Sequence, residues 1–215
     1  MMHGVNYVEW PPVGFRLLYV CTGNICRSPF AEILTRHLLI GRLGGRAATA
    51  FQIASAGVQG VVGSAIHPST RHELSPWGLD RGAADRFVAR QLRPEMIADA
   101  HLVLGANTRH RSAVIECEPG ALTRSFSIRE FARLAAEVDP AALPADPVAR
   151  AHDLVDLVRM RRGLSPPTLP EVDRIPDPMG RPQQAHHEAA MLIREAVSTI
   201  VDVIAPARVR PGARR

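Results

Sequence analysis

The sequence predicts an α/β fold: a single domain of three layers, with a four-stranded parallel sheet flanked by helices. Three features point there. Short apolar runs recur at residues 16–20, 51–56, 101–105 and 124–128, with the length and composition of strands buried on both faces. Between them lie stretches with apolar residues at helical spacing, which supply the crossovers that parallel strands require. The first apolar run also ends in a short loop containing Cys, Gly, Asn and Ser, after which helical spacing begins at once.

In chain order, residues 16–20 (RLLYV) form the first strand. Pro29 falls in the first turn of the following helix, where proline is tolerated, and Ser28 is placed to cap it. Phe30, Ile33, Leu34 and Leu38 make that helix's apolar stripe. Residues 51–56 are the second strand, 57–68 a glycine-containing loop, and 69–77 a short helix ended by Gly78. A short helix at 93–98 leads to the third strand at 101–105. Asn107 caps a helix over 108–117, Pro119 and Gly120 turn the chain, and 124–128 is the fourth strand. A helix over 129–138, an irregular stretch at 139–147, a helix over 148–161 and a proline-rich loop at 163–178 follow. The last helix spans 183–204, with Met191, Leu192, Val197, Ile200, Val201 and Ile204 on its stripe. The domain is expected at 16–204, with 139–169 as an insertion within it, a flexible leader at 1–15 and a basic tail at 205–215.

Composition narrows the function classes. With 215 residues, 46% of them hydrophobic, the chain can bury a sizeable core and is not a disordered segment. No uncharged apolar run approaches the roughly 18 residues of a membrane helix. No secretory leader is recognisable either, so a cytoplasmic protein without a membrane partner is expected. The 26 basic residues are all arginines, set against 21 acids for a net charge of +5. They are dispersed among the acids, and aromatics make up 5% of the chain. A nucleic-acid groove needs clustered basic residues and stacking rings, so no nucleic-acid partner is expected. The nine histidines show no metal-ligand spacing, and the adjacent His186 and His187 project to different faces of one helix, so neither a metal nor a cofactor is expected.

The three cysteines, Cys21, Cys26 and Cys117, are too few for a disulfide scaffold. Two of them share the loop VCTGNICRSPFAE at residues 20–32, which suggests reactivity. Its order has a physical logic. Amide groups of a tight loop and a helix N-terminus converge into an anion site, making this a phosphate-binding loop after the first strand. Gly23 permits a turn that other residues resist, and Arg27 offers a planar fork for phosphate oxygens. Cys21 lies at the floor of that positive pocket, where the thiolate is favoured and can act as a nucleophile. Cys117 reads as a passenger in its helix.

At these residues the sequence resembles the low-molecular-weight protein tyrosine phosphatase family, whose loop V-C-x-G-N-x-C-R-S-P is matched at every fixed position by residues 20–29. Ser55-Ala56-Gly57, Ala89-Arg90-Gln91-Leu92 and IPDPMG at 175–180 resemble further family segments, in the expected order. The resemblance implies hydrolysis of protein phosphotyrosine through a phosphocysteine intermediate. It makes Cys21 the nucleophile, Arg27 the group that binds phosphate and stabilises its charge, and Asp177 the general acid and then base. Thr22, Gly23, Asn24, Ile25, Cys26, Arg27 and Ser28 would cradle the phosphate, with Met179 beside the substrate. Ser28 would donate a hydrogen bond to Cys21, while Asn24 and Ser55 would support the loop. Family members carrying the Cys21–Cys26 pair can form a reversible disulfide that protects the nucleophile.

Two departures stand out. Relatives usually carry an aromatic residue where this chain has Met179, and the loop after Gly57 (VQGVVGSAIHP) has no aromatic either, which leaves phosphotyrosine selectivity open. Many relatives carry a histidine supporting the loop asparagine where this chain has Phe87; that support is either lost or transferred. Two other functions stay in view. Arsenate reductase on the same fold would use the same loop, but its thioredoxin-linked form needs more cysteines than Cys117 provides. A non-catalytic phosphate-binding module would be signalled by loss of Cys21, Arg27 or Asp177, and all three are present.

Overall fold

The computed structural model describes residues 14–164, 169 and 171–207. Residues 1–13 of the expected leader (1–15), residues 208–215 of the expected tail (205–215), and residues 165–168 and 170 of the proline-rich loop lie outside the described residues.

Four strands, β1 (Phe15–Cys21), β2 (Phe51–Gly57), β3 (Leu102–Gly105) and β4 (Ser125–Ser127), pair in the order β2-β1-β3-β4, all parallel. Strand order reverses beside β1: the chain moves from β1 to one side for β2 and crosses to the other for β3. Ligand crevices of open α/β sheets form at such a switch, outside the carboxyl ends of the strands. Register brings those ends level there, with Cys21 opposite Gly57 and Val20 opposite Gly105.

Alternation along the strands builds the layers. Phe15, Leu17, Tyr19, Phe51, Ile53, Leu102 and Leu104 join one hydrophobic cluster. That cluster includes residues of α1 (Arg27–Leu43), α6 (Ile128–Ala136), α7 (Pro147–Leu164) and α8 (Gln183–Ile204). Leu18, Val20, Ala54, Ala56 and Val103 face the other way, against α4 (Pro94–Asp99) and α5 (Thr108–Cys117). Two short helices, α2 (Gly45–Ala48) and α3 (Pro68–His72), complete the set.

Most expected elements form within a residue or two of their anticipated limits, and Asn107 caps α5 by accepting from the His110 amide. Three expectations are corrected. The helix anticipated over 69–77 divides into α3 and a 3-10 turn at Ser75–Trp77. Pro76 explains the break, because it lacks an amide hydrogen and biases the residue before it away from helical geometry. Ser28 does not cap α1: the N-cap is Cys26, and its side chain makes no capping bond. Gly23 is not the left-handed position of the loop; Asn24 is, at φ 56°. Asparagine tolerates that region because its short amide bonds locally.

The irregular stretch after α6 is held by α7. Buried Arg150 donates to the carbonyls of Pro140, Leu143 and Pro144 and to Val203 of α8, satisfying backbone acceptors that regular structure would otherwise engage. Ala151, Leu154, Val155 and Val158 of the same helix are core residues.

Candidate active site

The loop between β1 and α1 is fastened from outside by its carbonyl groups. Cys21, Thr22, Gly23 and Ile25 accept from the amides of Val58, Gln59, Val61 and His67, and Cys26 accepts from Phe30. A trans peptide sets its N–H opposite its C=O, so the amides that follow these carbonyls face the inside of the loop. They converge where α1 begins, at a helix N-terminus with no side-chain cap and no acidic residue in its first turn. This arrangement is suited to a bound oxyanion.

Gly57 is what lets β2 approach. A Cβ there would lie 2.5 Å from the Thr22 carbonyl oxygen and 2.9 Å from the Asn24 amide nitrogen. The Ser-Ala-Gly segment thus places a hydroxyl at Ser55 and then leaves room for the loop at Gly57.

Beneath the loop runs a buried polar relay whose proton directions follow from counting donors. Asn24 Oδ1 accepts from the Arg90 amide at 2.8 Å, which fixes the orientation of its side-chain amide. Asn24 Nδ2 then donates to Ser28 Oγ and to Ser55 Oγ, each at 2.8 Å. Ser28 Oγ, having accepted, turns its own proton toward Cys21 Sγ at 3.0 Å. Ser55 Oγ donates to Glu32 Oε2 at 2.7 Å, and the same carboxylate meets Arg36 at 3.3 Å. Phe87, where relatives place a histidine, is simply buried. Support for Asn24 comes from Ser55, anchored by Glu32, and from the Arg90 amide.

Arg27 is 3% exposed and reaches three segments. Nη1 donates to the Ile175 carbonyl at 3.3 Å, and Nη2 to Thr22 Oγ1 at 3.3 Å and to Asp177 Oδ2 at 2.6 Å. Ile175 is fully buried and its amide bonds the Ala106 carbonyl just past β3, which holds the Asp177 loop over the sheet's switch point. The neighbouring acids go elsewhere: Asp173 pairs with Arg133 at 2.9 Å, and Glu171 is exposed. Met179 is 53% exposed, and its amide bonds Asp177 Oδ1. Val61 and Val62 on the loop after Gly57 are also exposed, and Val61 stands against Gly23. These exposed side chains near the loop are aliphatic.

Sequence reasoning missed Glu32 and His110. His110 of α5 meets Thr22 Oγ1 through Nε2 at 3.0 Å. Since Thr22 accepts from Arg27, its hydroxyl proton is free for a neutral His110. Burial, with Arg27 nearby, lowers the His110 pKa to about 4. The available signal for Glu32 was its place in α1, one turn beyond Ser28 on the same face of the helix. Cys21 and Cys26 are both buried free thiols, but in different surroundings. Burial pushes the Cys26 thiol up to about 11, against a hydrogen bond from Thr70. Cys117 is exposed in α5, away from these groups in the sequence.

The part of the chain that carries the loop and the guanidinium matches a known family. The family model described as low molecular weight phosphotyrosine protein phosphatase matches residues 16–161. The chain belongs to that family. As a member, it is a cysteine-dependent protein phosphatase of low molecular weight. The chain is 32% identical over 117 residues to the protein-arginine-phosphatase of Geobacillus stearothermophilus, covering 54% of this chain and 71% of the relative. It is 30% identical over 118 residues to the probable low molecular weight protein-tyrosine-phosphatase EpsP of Ralstonia solanacearum, covering 54% and 73%. Among solved structures, the YwlE arginine phosphatase from Geobacillus stearothermophilus superposes with a TM-score of 0.60 at 23% identity, covering 87% of this chain and 91% of that one. Wzb of Vibrio vulnificus, in complex with benzylphosphonate, gives 0.57 at 20% identity, covering 86% and 94%. The structural likenesses establish the shared fold. No helix among the described residues is long and apolar enough to cross a membrane.

Proposed function

We propose that this phosphatase hydrolyses protein phosphotyrosine through a phosphocysteine intermediate. The observation that carries the reading is convergence at one loop: Cys21 accepts a hydrogen bond from the Ser28 hydroxyl, while Arg27 and Asp177 meet at 2.6 Å. In the first step the phosphate enters the ring of amides, and the Arg27 fork turns from Asp177 to its equatorial oxygens. The Cys21 thiolate attacks phosphorus; the P–O bond to the leaving group breaks as Asp177, which takes a proton from solvent once Arg27 has turned away, protonates that oxygen. In the second step Asp177, now a carboxylate, takes a proton from water as its oxygen attacks phosphorus. The P–S bond breaks, releasing inorganic phosphate and the thiolate, which the Ser28 hydroxyl stabilises. Thr22 to Ser28 form the phosphate cradle in this reading, Asn24 and Ser55 hold it, and Met179 lies beside the leaving group.

A second reading, hydrolysis of phosphoarginine on protein, is favoured by one observation: the exposed side chains near the loop, Met179, Val61 and Val62, include no aromatic ring to stack on a phenol. A relative named for that activity shares 32% identity with this chain. The deciding experiment compares a phosphotyrosine peptide with a phosphoarginine peptide, using the wild type and the Cys21→Ser and Asp177→Ala variants. Turnover of phosphotyrosine that is abolished by Cys21→Ser and strongly reduced by Asp177→Ala supports the proposal. Preference for phosphoarginine by a factor of ten or more in kcat/KM replaces it with the second reading.

A further inference from the structure

Beside the phosphate loop the fold gathers three ligand-bearing side chains that no spacing in the sequence connects. Cys26 comes from the loop, His67 from the residue that caps α3, and His186 from the first turns of α8. One potential ligand atom from each lies within 4.8 Å of the others. The two imidazoles stack with centroids 4.6 Å apart, and His67 is also tied to the loop through its amide, which bonds the Ile25 carbonyl at 2.8 Å.

The protons are arranged for ligation. Thr70 Oγ1 lies 2.8 Å from His186 Nδ1, and the same side chain bonds Cys26. With the Thr70 proton directed to Cys26, its oxygen accepts from His186 Nδ1–H. The second ring nitrogen, Nε2, is then a bare lone pair. It is buried without a hydrogen-bond partner among the described residues, in a side chain only 1% exposed. A buried, unpartnered nitrogen on an imidazole grouped with a thiol and a second imidazole is a costly arrangement unless something is to fill it. An oxygen holding the other ring nitrogen is the usual outer partner of a metal-binding histidine.

We propose that Cys26, His67 and His186 form a site for a thiophilic divalent cation, with Zn2+ the ion whose tetrahedral N/S preference they match. Three protein ligands leave the fourth position to water. Tetrahedral bonds of about 2.0–2.3 Å set ligand atoms roughly 3.3–3.8 Å apart, so the three groups draw in by about an ångström. Coordination exchanges the Cys26 thiol proton for the metal and releases it to solvent, with no change of oxidation state. His67 accepts a 3.3 Å bond from the Ser69 amide at Nδ1, so ligation through Nε2 moves its proton to Nδ1 and gives up that long bond. The bound ion joins the loop, the α3 cap and α8. The proposal is independent of the choice between phosphotyrosine and phosphoarginine.

The test uses the full chain with Cys21→Ser and Cys117→Ser, so that Cys26 is the remaining thiol, titrated with Co2+ and then Zn2+. The expected result is one equivalent of Co2+, a near-ultraviolet thiolate-to-cobalt charge-transfer band, intense visible bands of tetrahedral Co2+, and displacement by Zn2+. Adding His67→Gln or His186→Gln weakens binding at least tenfold, in proteins whose far-ultraviolet circular dichroism and melting temperature show that they are folded. Absence of the thiolate band overturns the site. So does a band whose affinity survives both histidine substitutions, since the thiol would then bind metal without the imidazoles.

Discussion

The Asp177 carboxylate lies 2.6 Å from the Arg27 guanidinium, closing a gap of 150 residues in sequence. Arg27 is buried and Asp177 is half exposed, so the carboxylate lies on the solvent side of the guanidinium. In the free protein the carboxylate engages Nη2 of the guanidinium, while Nε is buried without a partner among the described residues, and in the proposed mechanism the oxygens of a phosphate take the carboxylate's place.

This competition predicts opposite effects on chemistry and binding. Asp177→Ala should lower kcat on p-nitrophenyl phosphate by about 100-fold or more, the scale of a lost general acid. The same variant should bind inorganic phosphate several-fold more tightly, because a negative charge beside the Arg27 fork has gone. Competitive inhibition by phosphate, measured in both proteins, checks it. A weaker inhibition constant in the variant would place the carboxylate on the side of ligand binding.

Asn24 is the branching point of the buried relay. Asn24→Ala leaves the Arg90 amide without its acceptor and Ser28 and Ser55 without a donor, and it puts alanine at φ 56°. Stability should fall by about 2–4 kcal/mol in urea unfolding. Ser55→Ala removes one link of the same relay and should cost less.

Gly57→Ala should harm the loop more than the sheet. The new methyl meets Thr22 and Gly23 backbone, which must retreat by several tenths of an ångström or more. Phosphate affinity is expected to drop about tenfold or more, since amide geometry sets it. Isothermal titration with phosphate or vanadate reads this directly.

His110 makes stability depend on pH in a defined window. Its folded pKa, about 4, is below the unfolded value of 6.5, so between these limits the unfolded chain holds the extra proton. Stability is therefore undiminished above the unfolded value and falls as pH drops toward 4, levelling off below it. The contribution is on the order of 3 kcal/mol. Urea unfolding across that range should show the slope, and His110→Gln should flatten it. His101 is also lowered to about 4 by burial and by His152, so part of the slope remains in the variant.

The strands and α8 were legible because each depends on local pattern: apolar runs at the four strands and an unbroken helical stripe over 183–204. The loop was legible because its residues lie together in the chain. Asp177 was legible only by resemblance, and its approach to Arg27 required the fold. Ser28 was misread as a cap because a serine before a helix usually serves the helix, whereas here its hydroxyl is claimed by Asn24 and Cys21. Glu32 and His110 act through partners on other elements, Ser55 of β2 and Thr22 of the loop, so spacing along their own helices does not show what they touch. The grouping of Cys26, His67 and His186 escaped notice for the same reason, since its members share no local segment.

Asn24 gives away both of its amide hydrogens, and each serine that takes one has a single place left for its own. The rotors beneath the nucleophile are therefore already locked before a substrate arrives. In bulk water, dipoles around a sulfur anion must swing round whenever its charge appears or departs. Here they are preset, so in the proposed mechanism the thiolate forms, leaves phosphorus and forms again while its surroundings stay still, and that reorganisation drops out of the barrier of either step.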